Sequence, residues 1–149
     1  MSAGGIAAEA EAEVLGFHAF LARWLGGSAA PGEAAVAETL ERFDARFLCI
    51  DPEGRRQTRD DLCAWLHAAH GSVPALEIRV AKLEILWCSA EAALLGYEEH
   101  QAGPAANARR AVALFRSDRG QARWVHVSEA WLGDGGAAAA GQRALREAA

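Results

Sequence analysis

Trp124-Val125-His126-Val127-Ser128-Glu129-Ala130-Trp131-Leu132 is the stretch whose reading decides the fold of this chain. It is β-branched and aromatic, and the turn-forming Ser117-Asp118-Arg119-Gly120 stands shortly before it. Both features mark a strand, the last of an antiparallel sheet. Alternation puts Val125, Val127, Glu129 and Trp131 on one face and Trp124, His126, Ser128 and Ala130 on the other. Both faces are largely apolar, so both are expected to be covered. A carboxylate then lies between Val127 and Trp131 in a dry place. A buried charge is costly unless paired or hydrogen-bonded, so Glu129 needs a partner or a chemical role.

Working back from this strand, the pattern stays extended as far as Pro74. Strands are expected at 108–116, 92–101 and 76–88, joined by short turns such as Ser89-Ala90-Glu91 and a loop marked by Gly103-Pro104. Consecutive strands so linked pair antiparallel. In the 76–88 segment Leu83, Ile85 and Trp87 fall on one side and Lys82 and Glu84 on the other. Gly96 inside its strand suggests a bend or bulge.

Before Pro74 the period is helical. Val14, Phe17, Leu21, Trp24 and Leu25 form one stripe of a helix over 7–25, which Gly26-Gly27 ends. Pro31 can open a second, shorter helix with Val36, Leu40 and Phe43 on its apolar side. A short strand follows at 46–51, then turn chemistry at Asp51-Pro52-Glu53-Gly54. Thr58 caps a third helix, with Asp61 in the capping-box position, Leu62, Trp65, Leu66 and Ala69 inward, and Gly71 as the stop. The fold class is α+β: three helices, a short strand and four long ones. The stripe of the first helix needs a concave surface, and a bent sheet supplies one.

The totals set bounds. The chain's 149 residues suit one domain, expected over 1–132, and the low-complexity stretch 133–149 is expected to be a flexible tail, with at most a stray helical turn at 142–147. A hydrophobic content of 52% with 23% charged residues is globular composition. A net charge of -5 argues against nucleic acid as a partner. No apolar run approaches the roughly 20 residues that span a bilayer, and no signal-peptide pattern opens the chain, so a cytoplasmic location is expected. Cys49, Cys63 and Cys88 are odd in number and widely spaced, which suits reduced thiols.

The element order, with Phe47-Leu48-Cys49-Ile50-Asp51-Pro52-Glu53-Gly54, the segment EAALLGYEEHQ at 91–101, the segment 113–120 and WVHVSEAWL at 124–132, resembles the nuclear-transport-factor-2-like (NTF2-like) superfamily. The SnoaL-like branch and the association domain of calmodulin-dependent kinase are most similar. The resemblance implies a cone of curved sheet closed by helices, a pocket inside the cone, and often a dimer formed by the outer sheet face. Members range from isomerases, cyclases and dehydratases to domains that only assemble or bind ligands.

Period two places Tyr97, Glu99 and Gln101 on one face of their strand and Arg109, Ala111, Ala113 and Phe115 on one face of the next. If the register joins these to Glu129 and Trp131, a pocket results with two carboxylates, a guanidinium and a phenol among aromatics. Trp24 or Trp87 would stand at its wall. Such a set can bind a small polar organic molecule. Glu129 or Glu99, with a raised pKa, could act there as a general base. The bland alternative is a closed Arg–Glu pair, made by Arg109 or Arg110, in an association module with a vestigial pocket. Cys63, His67 and His70 share one helix face, but no second ligand cluster supports a metal, and no cofactor is expected. His18 and His100 read as ordinary surface or packing residues. The opposite sheet face, with Val112, Leu114, Trp124, His126 and Ser128, is expected to form a homodimer interface.

Overall fold

The computed structural model describes residues 3–133, and these carry three helices and one six-stranded sheet. The expected tail beyond Gly133, with its helical turn, lies outside the described residues. The elements are α1 (Ala3–Gly26), α2 (Glu33–Leu40), β1 (Phe43–Ile50), β2 (Arg56–Thr58), α3 (Arg59–Ala69), β3 (Glu77–Cys88), β4 (Ala92–Ala102), β5 (Asn107–Asp118) and β6 (Gln121–Trp131). The sheet order is β2-β1-β6-β5-β4-β3. β3 to β6 form the expected antiparallel meander. β1 adds to β6 in parallel, and β2, a strand too short for its pattern to show in sequence, hairpins back on β1. The sheet is therefore mixed, and it is not closed.

Local chemistry accounts for the boundaries. Thr58 accepts a hydrogen bond from the Asp61 amide while the Asp61 carboxylate accepts from the Thr58 amide, so α3 starts on a complete capping box. α1 ends at Gly27, which takes a positive φ of 83° that a side chain would resist. Its last carbonyls are capped by the amides of Gly71 and Val73, which tie the helix end to the segment after α3. The hairpin between β5 and β6 turns through Arg119 and Gly120, both at positive φ as a two-residue hairpin loop requires. No described helix is long and apolar enough to cross a membrane.

Two clusters form the interior. One packs α1 on the sheet through Ile6, Ala10, Val14, Phe43, Phe47, Leu95, Phe115 and Trp124, with the small residues Ala93, Ala111 and Ala113 keeping the inner sheet face shallow. The other joins the end of α1 to α2 and α3 through Leu21, Trp24, Leu25, Val36, Leu40 and Leu66.

Simple alternation fails in β6. Leu114 pairs with His126 but Phe115 pairs with Trp124, so Val125 is an extra residue in a bulge. The bulge reverses the phase: Trp124 faces inward with Val127 and Glu129 and is 1% exposed. It stacks on Phe43 at 5.5 Å and donates its indole N–H to Glu13. Trp124 is thus no part of the outer face, where Val112, Leu114, His126 and Ser128 do lie side by side. β3 carries further irregularities between Ala81 and Glu84 and between Ile85 and Trp87. They put Leu86 over Gly96 and bring Trp87 opposite Leu94, both on the outer face, leaving Leu86 and Trp87 47% and 55% exposed.

Candidate functional site

The antiparallel register lays two rows across the inner face. Glu99 stands opposite Arg109, which stands opposite Trp131; Tyr97 stands opposite Ala111, which stands opposite Glu129. Above them the helices do not close fully, and a cavity of about 100 Å³ remains. That is ample for ordered water or a small organic group. α1 contributes Phe17, His18, Leu21 and Leu25; β1 contributes Phe43, Phe47 and Cys49; β2 and α3 contribute Gln57, Leu62 and Trp65. Tyr97, Glu99, Gln101, Arg109, Trp124, Val127 and Glu129 complete the lining from β4, β5 and β6.

The floor is a chain of ionic and polar pairs. His18 Nε2 lies 3.1 Å from Glu99 Oε1, and His18 Nδ1 lies 2.7 Å from the Val14 carbonyl. A carbonyl only accepts, so Nδ1 carries a proton. A second proton on Nε2 makes His18 an imidazolium facing an ionised Glu99. Burial alone would lower the His18 pKa, but the charge and hydrogen bond of Glu99 outweigh it and raise it. Burial would raise Glu99, yet the charges of Arg109 and His18 and hydrogen bonds from His18 and Gln101 hold its carboxyl well below the usual range. Glu99 is therefore not the carboxylate of raised pKa that a general base would need; its role is to hold the His18 proton.

Arg109, 2% exposed, donates to Glu129 Oε2 at 3.4 Å and to Asn107 Oδ1 at 3.0 Å, and its Cζ sits 4.8 Å from the centre of the Trp131 ring. The Cys49 thiol points to the other Glu129 oxygen at 3.7 Å. Gln101 donates to Glu99 and accepts from Asn107. The Glu129 carboxylate is thus inward and paired. The alternative partner Arg110 lies on the opposite face, where it meets Glu98 beside Lys82 and His100. Arg109 Nε and Trp131 Nε1 are shut off from solvent with no partner among the described residues.

Of the expected site residues, Tyr97, Glu99, Gln101, Arg109 and Glu129 meet at the cavity, and Trp131 backs Arg109. Trp24 does not reach it: the ring lies in the second cluster, donates to the Leu66 carbonyl at 2.7 Å and meets His70 edge-on. Trp87 does not reach it either, since the β3 irregularity turns it to the outer face. The indoles on the cavity are Trp65 and Trp124. Cys63 packs on the second cluster, His67 is exposed and His70 bonds the Ala29 carbonyl, so each has a structural place. His18 is no surface residue. It sits four after Val14 and three before Leu21 on the helix stripe, a spacing that marks it as inward.

No family model matches the sequence, and no curated protein matches it. Solved structures do. An NTF2-like protein of unknown function from Pseudomonas aeruginosa superposes with a TM-score of 0.78 at 24% identity, over 84% of this chain and 99% of that one. A protein from Exiguobacterium sibiricum named for the association domain of Ca/calmodulin-dependent kinase II superposes with a TM-score of 0.57 at 12% identity, covering 83% and 93% of the two chains. A protein with a cystatin-like fold from Caulobacter vibrioides gives 0.55 at 17% identity, covering 76% and 85%. The chain has the NTF2-like fold.

Proposed function

We propose that this chain binds a small organic molecule in the cavity between α1, α3 and the inner sheet face. The observation that carries this reading is the lining itself: a hollow of about 100 Å³ walled by aromatics over a floor of paired charges. A vestigial pocket would be expected to fill with aliphatic side chains, because voids cost packing energy. Binding, rather than acid–base conversion, is the favoured reading because Glu99 is committed to His18 and Gln101. The test is a thermal-shift screen of small organic compounds on the wild type and on Val127→Phe, which puts a ring into the hollow. The wild type should respond to one chemical class and the variant should not, with its own melting temperature kept. A response that survives Val127→Phe would place binding elsewhere.

A second reading has its own support. Leu86 and Trp87 stand exposed beside Leu94, Val112 and Leu114 on the outer sheet face, and exposed apolar patches mark interfaces. A homodimer through this face would remove them from water. Size-exclusion chromatography with light scattering should give a dimer at micromolar concentration and a folded monomer for the Leu86→Ser/Trp87→Ser pair. A monomeric wild type contradicts this reading.

A further inference from the structure

The polar groups around the hollow also select what can enter it, an inference that rests on the binding reading above. Every side-chain acceptor on the floor already takes a donor. Glu99 accepts from His18 and Gln101, and Glu129 accepts from Cys49 and Arg109. The amide oxygens of Gln101 and Asn107 accept from Asn107 and Arg109. Arg109, the obvious seat for a carboxylate, is held by Glu129, Asn107 and the Trp131 face, with Glu129 already beside it as counter-charge, and its Nε is sealed. What remains on the floor is the Tyr97 hydroxyl, which lines the cavity and has no hydrogen bond to any described residue; the Gln57 amide, from β2, is on the wall. A phenol in that position offers a donor to an incoming oxygen.

Charge decides which oxygen. Imidazolium His18 and Arg109 balance Glu99 and Glu129, so the floor is neutral as a whole. At Tyr97 itself, burial first, then the charges of Glu99 and Glu129, push the phenol well above its ordinary value, and the opposing pull of Arg109 is smaller. The field at that hydroxyl thus resists negative charge. A carboxylate placed against it would be opposed by the same two groups, and a carbonyl oxygen would not.

We propose that the cavity takes an uncharged, mainly apolar ring compound, held by one carbonyl or ether oxygen on the Tyr97 hydroxyl and by ring contacts with Phe17, Phe47, Trp65 and Trp124, and that it rejects the carboxylate built on the same skeleton. Three probes of near-equal size separate the terms: acetophenone, ethylbenzene and benzoate. The readout is the shift of the Trp65 and Trp124 indole N–H signals in NMR titrations, on the wild type and on Tyr97→Phe. Acetophenone should bind at least about tenfold more tightly than benzoate, about the worth of one buried hydrogen bond. Tyr97→Phe should weaken acetophenone by about the same factor and leave ethylbenzene unchanged. The variant loses a hydroxyl without a protein partner, so its amide spectrum and melting temperature should match the wild type. Benzoate equal to or tighter than acetophenone overturns the proposal while the binding reading stands. So does an equal loss for all three probes in Tyr97→Phe. If none of the three moves either indole signal, this proposal is overturned, and the thermal-shift screen separately decides the binding reading.

Discussion

Replacing Glu99 by Gln tests the buried pair at the centre of the site. In the native protein one carboxylate oxygen accepts from His18 and the other from Gln101. Gln offers a single acceptor. If that acceptor stays with Gln101, the new amide N–H points at His18 Nε2, which must then be unprotonated and accept. The variant therefore exchanges a hydrogen bond between charges, worth about 1.5–3 kcal/mol, for a neutral one worth about 0.5–1.5 kcal/mol. A net loss of about 1–2 kcal/mol near pH 6 follows. The larger signature is the pH profile. A raised His18 pKa means that its stabilisation is fully present below the unfolded value of about 6.5 and lost as pH rises through the folded-state titration. A lowered Glu99 pKa means that its stabilisation is present above the unfolded value of about 4.5 and lost only as pH falls through the folded value in strong acid. The pair should support the fold best between these limits, and stability on the alkaline side should fall by up to about 1.4 kcal/mol per pH unit while the two His18 titrations are separated. Urea unfolding at about pH 6, 7, 8 and 9, followed by tryptophan fluorescence, measures this for both proteins. In Glu99→Gln the alkaline decline should be reduced by His18's share, so the variant converges on the wild type as pH rises. Parallel curves for the two proteins would refute the ion-pair account.

Two further substitutions probe the frame that holds the site. Thr58→Ala removes the capping box that starts α3, which carries Leu62 and Trp65 to the cavity; a loss of about 1 kcal/mol in urea unfolding is expected, and no loss would show the cap to be dispensable. Gly103→Ala forces a side chain onto a backbone at φ 128°, with its Cβ 3.2 Å from the Ala75 carbonyl oxygen, and should cost about 2 kcal/mol or more in the same measurement.

The parts of this structure that follow local rules were legible in the sequence. Thr58 with Asp61, Gly27 after the α1 stripe, and Asp118-Arg119-Gly120 between two alternating runs each name a boundary through one or two residues. The row of Tyr97, Glu99 and Gln101 is legible too, because β4 runs without interruption against β5. Period-two reasoning failed where an extra residue enters a strand. The bulge at Val125 sends Trp124 inward, and the irregularity before Trp87 sends that ring outward; neither position carries a residue type that announces a bulge. The parallel pairing of β1 with β6 joins segments distant in the chain, so no local pattern encodes it. His18 was legible by helical spacing but has an ordinary polar side chain, and only the partner across the fold, Glu99, gives it meaning.

The hollow lined by Tyr97 and Trp124 from the sheet and by Trp65 from α3 is the proposed binding site. A crystal of the protein soaked with the tightest compound from the thermal-shift screen measures this directly. Difference density for a ring in contact with those indoles, with His18, Glu99, Arg109 and Glu129 keeping their pairings, is the result expected. Density confined to the outer surface, or a cavity closed by collapse of Leu62 and Phe47 into it, would contradict the account.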